Sequence, residues 1–168
     1  MKTRTLLVAL LVVALPLLGA GKWQEEFAKH LKISGELTVA VAEMMPEDSY
    51  SFKPNPEEMG FGELFVHSVM YEAATCARVG ETKSPLTKPA TMDKATVLKL
   101  IKDAFEFCND IVPKLTDAQL DRMFGKPGGP QSSGREALWG AFTHTAHHRA
   151  QTEVYLRVKN IKPPNYRF

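Results

Sequence analysis

The chain has 168 residues, with 21 lysines and arginines against 19 aspartates and glutamates and a formal net charge of +2. Without Lys2 and Arg4, 19 basic side chains (21 minus 2) balance 19 acidic ones. No basic run with interleaved aromatic residues stands elsewhere, so the sequence offers no electrostatic surface for nucleic acid. We expect a small-molecule substrate of unknown identity instead.

The N-terminus has the pattern of a secretory signal. A short basic start precedes an apolar run over residues 6–15, and small residues close it at Ala20 and Gly21. This order is typical of a cleaved signal peptide. An uncleaved membrane anchor is the weaker alternative, because spanning a bilayer takes about 20 apolar residues. We therefore predict a signal peptide over residues 1–21 and a secreted or periplasmic mature domain over residues 22–168, with no stable membrane anchor after cleavage.

The mature part predicts four long helices. Apolar residues recur at steps of three and four, the period of an amphipathic helix, and prolines and glycines break the pattern between segments. The helices are predicted over residues 22–45, 56–79, 91–112 and 135–159. Residues 116–120 could add a short helix, whereas residues 124–134 are too rich in glycine and proline for regular structure. Since no stretch alternates long enough for a sheet, we predict an all-α, antiparallel four-helix bundle.

Three of the five histidines have the spacing of a metal site. His144 and His148 stand four residues apart on the last predicted helix, about 40° apart around its axis and one turn apart along it. His67 lies in the middle of the second. If these two helices pack together, three neutral nitrogens can bind one divalent ion and leave a coordination position open, as reactive metal centres do. We read His30, beside the apolar stripe of the first helix, as an ordinary histidine.

The two cysteines, Cys76 and Cys108, fall on different predicted helices. One disulfide and two buried thiols are both compatible with the sequence, because spacing alone does not give the distance between their Cα atoms. Neither cysteine fits the histidine pattern, since Cys76 lies about 180° around the helix from His67.

Five stretches occur in an order that carries a resemblance. They are Ser51-Phe-Lys-Pro54, Phe61-Gly-Glu-Leu64 ahead of His67, His144-Thr-Ala-His-His-Arg-Ala-Gln151, Tyr155-Leu-Arg157 and Ile161-Lys-Pro-Pro164. With them the chain resembles the DinB/YfiT-like family of metal-binding four-helix bundles over nearly its whole mature length. The resemblance implies that His67, His144 and His148 hold a divalent metal, often zinc or nickel, and implies neither a polymerase nor a DNA-binding module. Ala150 departs from the glycine usual before Gln151. Asn160 replaces the glycine that commonly ends the last helix, and asparagine is the next best residue for a left-handed cap.

Four neighbours of the histidines have two readings each. His147, about 100° around the helix from His148, is read as a group that supports a ligand or lies at the pocket edge, and the alternative is that it is itself a ligand. Gln151 orients a ligand or bound water, or packs the helix. Glu63, one turn before His67, accepts a proton from that histidine or from water, or is an exposed first-turn glutamate. Tyr71, one turn after it, lines the cavity or fills core.

The sequence therefore predicts an exported metalloprotein with a three-histidine centre. Metal-assisted hydrolysis and transfer of a thiol to an electrophile both follow from such a centre, and the sequence does not choose between them. A non-catalytic metal-binding or interaction bundle is the alternative. A catalytic centre should lie beside a substrate-sized pocket, whereas a structural one should be closed and buried. The sequence does not decide whether the chain forms a homodimer. We expect Arg149 to form a structural salt bridge.

Overall fold

The structure, a computed structural model, describes residues 21–167. All of the predicted signal peptide except Gly21 lies outside the described residues. Within residues 21–167, every helix is too short or too polar to cross a bilayer.

Four long helices dominate the structure, as predicted. The elements in chain order are α1 (Lys22–Met44), α2 (Phe61–Val79), α3 (Lys94–Ile111), α4 (Asp117–Asp121), β1 (Met123–Gly125), β2 (Gln131–Ser133) and α5 (Gly134–Val158). Short 3-10 helices cover Glu47–Ser49 and Val112–Lys114. The predicted short helix is therefore confirmed as α4.

Helix α2 begins five residues later than predicted. The Glu63 carboxylate accepts a hydrogen bond from the backbone N–H of Gly60 at 2.7 Å, and this bond defines the first turn from Phe61. Residues 55–58 instead form a turn, with the N–H of Glu58 bonded to the carbonyl of Asn55. Proline at position 56 suits a helix start as well as a turn, so the sequence pattern alone placed the boundary too early.

The expectation that residues 124–134 lack regular structure, and that the chain contains no sheet, is wrong. Strands β1 and β2 pair antiparallel, with Phe124 opposite Ser132. Gly125 and Gly128 adopt φ of 138° and 77°, which residues with a side chain rarely do, and these angles turn the chain back on itself. The hairpin depends on glycine dihedrals rather than on apolar alternation, which is why period-two analysis missed it.

The bundle is not antiparallel throughout. Helices α2 and α3 run parallel, because Gly62 lies against Met92 at one end of the pair and Gly80 lies against Ile111 at the other. Parallel packing requires residues 80–93 to return along the whole of α2. That connection reaches about 46 Å when extended, well beyond the roughly 28 Å of a 19-residue helix.

The other helix pairs follow from their contacts. Helix α5 packs antiparallel to α2, since the Tyr155 hydroxyl near its end donates to the Met59 carbonyl just before α2 at 3.0 Å. Phe27 on α1 contacts Trp139 near the start of α5, so α1 and α5 run parallel. Gln24, at the start of α1, donates to the Leu115 carbonyl after α3 at 3.0 Å, so these two helices run antiparallel.

The core lies between all four long helices and is closed by a disulfide. Its fully buried side chains include Leu31, Val41, Phe61, Phe65, Ile101, Leu138 and Leu156. Cys76 on α2 and Cys108 on α3 are bonded, with their Cα atoms 5.6 Å apart, which answers the question that the sequence left open. At the end of α5, Asn160 adopts φ of 60° and the N–H of Ile161 bonds to the Leu156 carbonyl, so the expected left-handed cap is confirmed.

Candidate metal centre

Three imidazoles converge where α2 packs against α5. His67 lies in the second turn of α2, and His144 and His148 occupy successive turns of α5. The Nε2 atom of His144 lies 3.1 Å from the Nε2 atoms of both His67 and His148. A tetrahedral ion bound by nitrogens at 2.0–2.1 Å would hold them about 3.3 Å apart. The structure thus brings together the three histidines that the sequence singled out.

Hydrogen bonding determines which ring nitrogen of His148 is available to bind a metal. Its Nδ1 donates to Oε1 of Gln151 at 2.7 Å, so in the neutral ring Nε2 carries the lone pair and faces the other two imidazoles. A proton on Nε2 of His144 can be donated to only one of the two neighbouring nitrogens, Nε2 of His67 or Nε2 of His148. A cation between the rings would satisfy all three lone pairs at once. The residues therefore fit a divalent ion, and Gln151 is placed to orient a ligand.

Burial and neighbouring charges disfavour the protonated forms of His144 and His148. Burial, followed by the neighbouring charges of His148, His67 and His147, lowers the pKa of His144 from 6.5 to about 4. Burial also lowers the pKa of His148, and the hydrogen bond to Gln151 opposes that change. A neutral imidazole is the form that binds a metal, so both rings are ready to bind at neutral pH.

The remaining predicted neighbours take separate positions. His147 is exposed, and its ring centroid lies 5.0 Å from that of His148, at the edge of the cluster. The Tyr71 ring lies 4.7 Å from the His144 ring and is 45% exposed, so it lines the site instead of filling core. Glu63 caps α2 and lies 3.8 Å from the Lys53 ammonium, which matches its reading as an exposed first-turn glutamate.

A cavity of about 430 Å³ opens beside His67. Its lining comes from α2, from the segment before it and from the returning connection: Met59, Glu63, Val66, His67, Met70, Lys88 and Met92. This volume is in the range of small-molecule sites, which are mostly apolar with a few polar groups. Because His67 is exposed and faces this space, the cluster has the open character expected of a reactive centre.

One buried carboxyl group near the centre was not identified from the sequence. Glu72 on α2 is fully buried; Oε2 accepts a hydrogen bond from Thr145 at 2.6 Å, while Oε1 has no partner among residues 21–167. Burial raises its pKa to about 7, and the Thr145 bond opposes the rise. Its position among apolar residues of α2, four before Cys76, is the signal that could have found it.

The salt bridge expected for Arg149 is wrong. Its buried guanidinium donates to the Ser34 hydroxyl at 2.8 Å and to the Ser34 carbonyl and the Thr38 hydroxyl, both at 3.3 Å. Within the described part of the chain, no carboxylate reaches ion-pairing distance of it. Arg149 therefore joins α5 to α1 through hydrogen bonds alone.

Comparison with known proteins yields one consistent group. A sequence model of the DinB superfamily matches residues 30–152. The uncharacterized protein YjoA of Bacillus subtilis is 30% identical over 135 residues, covering 78% of this chain and 84% of its own. The crystal structure of that DinB-like protein superposes with a TM-score of 0.71 at 27% identity, over 84% of this chain and 96% of the other.

More distant crystal structures share the same fold. A DinB-like protein from Bacillus cereus superposes with a TM-score of 0.68 at 18% identity, over 85% of this chain and 97% of that one. A DinB-family protein from Exiguobacterium sibiricum gives a TM-score of 0.62 at 16% identity, over 84% and 95% of the two chains.

Proposed function

This chain belongs to the DinB superfamily, and from that premise we propose that His67, His144 and His148 bind one divalent metal ion, zinc or nickel. Membership confirms the resemblance drawn from the sequence. The observation that carries the proposal is the convergence of three Nε2 atoms, with 3.1 Å between the middle one and each of the others.

The proposed activity is that of a metal-dependent hydrolase or a thiol transferase. A divalent ion at this position supplies Lewis acidity, which favours the deprotonated form of a water or a thiol. Gln151 holds His148 in the binding tautomer, and Tyr71 covers one side of His144. Val66 and Met70 contribute apolar side chains to the cavity lining. The cavity and the exposure of His67 support catalysis over a closed structural site.

A non-catalytic metal-binding or interaction bundle is the second candidate. It is compatible with the large apolar core and the disulfide, which stabilise the bundle whether or not the ion takes part in catalysis. In that case the purified, metal-loaded protein should turn over neither ester and amide substrates nor mixtures of a thiol with an electrophile. Turnover of either kind that disappears on chelation would support the enzyme.

Single substitutions test the metal site directly. His67→Ala, His144→Ala and His148→Ala should each lower the metal content of the purified protein sharply, as measured by mass spectrometry of the metals. His147→Ala is the matched control, because it removes an exposed imidazole next to His148 and should keep most of the metal. Full occupancy in two of the three ligand variants would contradict the site. Loss in the control equal to that in His144→Ala would make His147 a ligand.

Export is a separate part of the proposal. The basic start and apolar run of residues 1–21 support secretion or a periplasmic location, with a small-molecule substrate and no nucleic acid as partner. N-terminal sequencing of the full chain after expression and cell fractionation should find a mature protein that begins near Lys22. A cytoplasmic protein that retains Lys2 would contradict export. Because an exported protein is separated from cytosolic thiols, export would favour hydrolysis over thiol transfer.

A further inference from the structure

The cavity beside His67 has an apolar wall of unusual composition. Three of its lining residues are methionines, Met59, Met70 and Met92, and Val66 is almost fully buried behind them. Methionine side chains are unbranched and polarizable, so they adapt to apolar bodies of irregular shape. This wall therefore suits a flexible hydrocarbon chain more than a rigid, strongly polar ligand.

The charges at the cavity are unbalanced. The Glu63 carboxylate is already engaged by the Gly60 N–H at 2.7 Å and by the Lys53 ammonium at 3.8 Å. Lys88 also lines the cavity, and within residues 21–167 no carboxylate pairs with its ammonium group. The cavity thus holds one cationic group without a partner, at a position where a bound molecule can reach it.

The returning connection keeps Lys88 over the cavity. Leu86, two residues earlier, packs against the core, and its N–H bonds to the Ser84 hydroxyl at 3.2 Å. Pro89 follows Lys88 directly and restricts the backbone there. The ammonium group is therefore carried by an anchored segment rather than by a freely moving loop.

From these features we propose that the cavity binds a small organic anion. Its head group would bind the metal at His67, its flexible apolar middle would lie along the methionines, and a carboxylate would pair with Lys88. Three neutral imidazoles leave the charge of a divalent ion uncompensated, so an anionic head group is favoured as well. This inference rests on the proposed metal site and deepens it, because it names the substrate class.

Matched hydroxamates test the inference by binding, without any assumption about the reaction. The probes are the monohydroxamates of adipic and suberic acid, which carry a distal carboxylate, and their distal primary amides, which have the same shape without the charge. Calorimetric titration of zinc-loaded protein should show at least one acid binding about two- to fivefold more tightly than its amide, the range for an exposed ion pair.

Substitution of Lys88 should remove that preference. Lys88→Met removes the charge while keeping most of the side-chain length and should bring the two affinities together, and Lys88→Glu should reverse their order. Lys83→Met in the same connection is the matched control, because Lys83 is exposed and does not line the cavity; it should keep the preference. Circular dichroism verifies that each variant is folded.

Three results would overturn the inference, and the third is distinguishable from the first two. Metal-loaded protein that binds acids and amides equally, or a preference that survives in both Lys88 variants, would refute the anion site while leaving the metal site intact. Protein that binds neither zinc nor nickel in metal analysis would refute the proposed function, and the anion site would fall with it.

Discussion

Replacing Glu72 with glutamine should change how stability depends on pH. The folded chain holds this carboxyl with a pKa of about 7, raised by burial from an ordinary value of 4.5. Between those values the unfolded chain loses the proton while the folded chain keeps it. The folded state therefore loses stability as pH rises from about 4.5 to 7, and the loss is complete above pH 7.

The expected size of this effect follows from the shift. A difference of about 2.5 pKa units at 1.36 kcal/mol each corresponds to roughly 3 kcal/mol in the free energy of unfolding. Glutamine has no proton to lose, and its side-chain oxygen can still accept the bond from Thr145. Relative to Glu72→Gln, the wild-type protein should thus become less stable by about 3 kcal/mol between pH 4 and pH 8.

Urea denaturation followed by circular dichroism measures the effect. Metal-free wild-type and Glu72→Gln proteins, both with the disulfide intact, should be unfolded at several pH values. Because both proteins contain the same metal-free histidines, histidine titration contributes equally to the two stability curves. Glu106→Gln, an exposed change on α3, serves as the control and should follow the wild-type curve. Parallel stability curves for wild type and Glu72→Gln would refute the reasoning, because they would mean that the buried carboxyl carries the same charge in both states.

Three further predictions concern the centre and its support. Gln151→Ala should weaken zinc binding roughly tenfold in a competition titration with a chelator, because His148 loses the acceptor that orients its ring. Gln151→Glu keeps an acceptor and should bind zinc at least as tightly as wild type. Equal zinc affinities of Gln151→Ala and wild type would contradict this role. Cys76→Ala with Cys108→Ala should lower the free energy of unfolding in urea by about 3–4 kcal/mol, since the disulfide closes a loop with a sequence separation of 32, and should leave zinc binding unchanged. Chelation should leave the far-ultraviolet circular dichroism helical and the melt cooperative at a lower Tm, because the apolar core is complete without the ion; loss of most helical signal would favour a structural metal.

The histidine arrangement could be predicted because helix geometry dictates it locally. A spacing of four residues places His144 and His148 on the same face of α5. His67 joins them once α2 packs against α5. The helix periodicity that defines the core also defines that packing. For the same reason the four long helices appear close to their predicted bounds.

Other features depend on contacts that one helix does not reveal. The parallel course of α2 and α3 was not predictable, because the connection of residues 80–93 is long enough for either direction. The burial of Glu72 depends on Thr145 from another helix. The place of Lys88 at the cavity depends on where the connection lies, and helix periodicity does not predict that course.

The return of residues 80–93 along α2 has a consequence for how this fold can diversify. The three histidines come from the helices α2 and α5, whereas Lys88 and Met92 reach the cavity from the connection between α2 and α3. Substitutions at exposed positions of such a connection, Lys88 among them, cost little core stability. Chains with the same bundle and the same histidines can therefore accept different molecules by varying this one segment, so substrate preference can evolve separately from the scaffold.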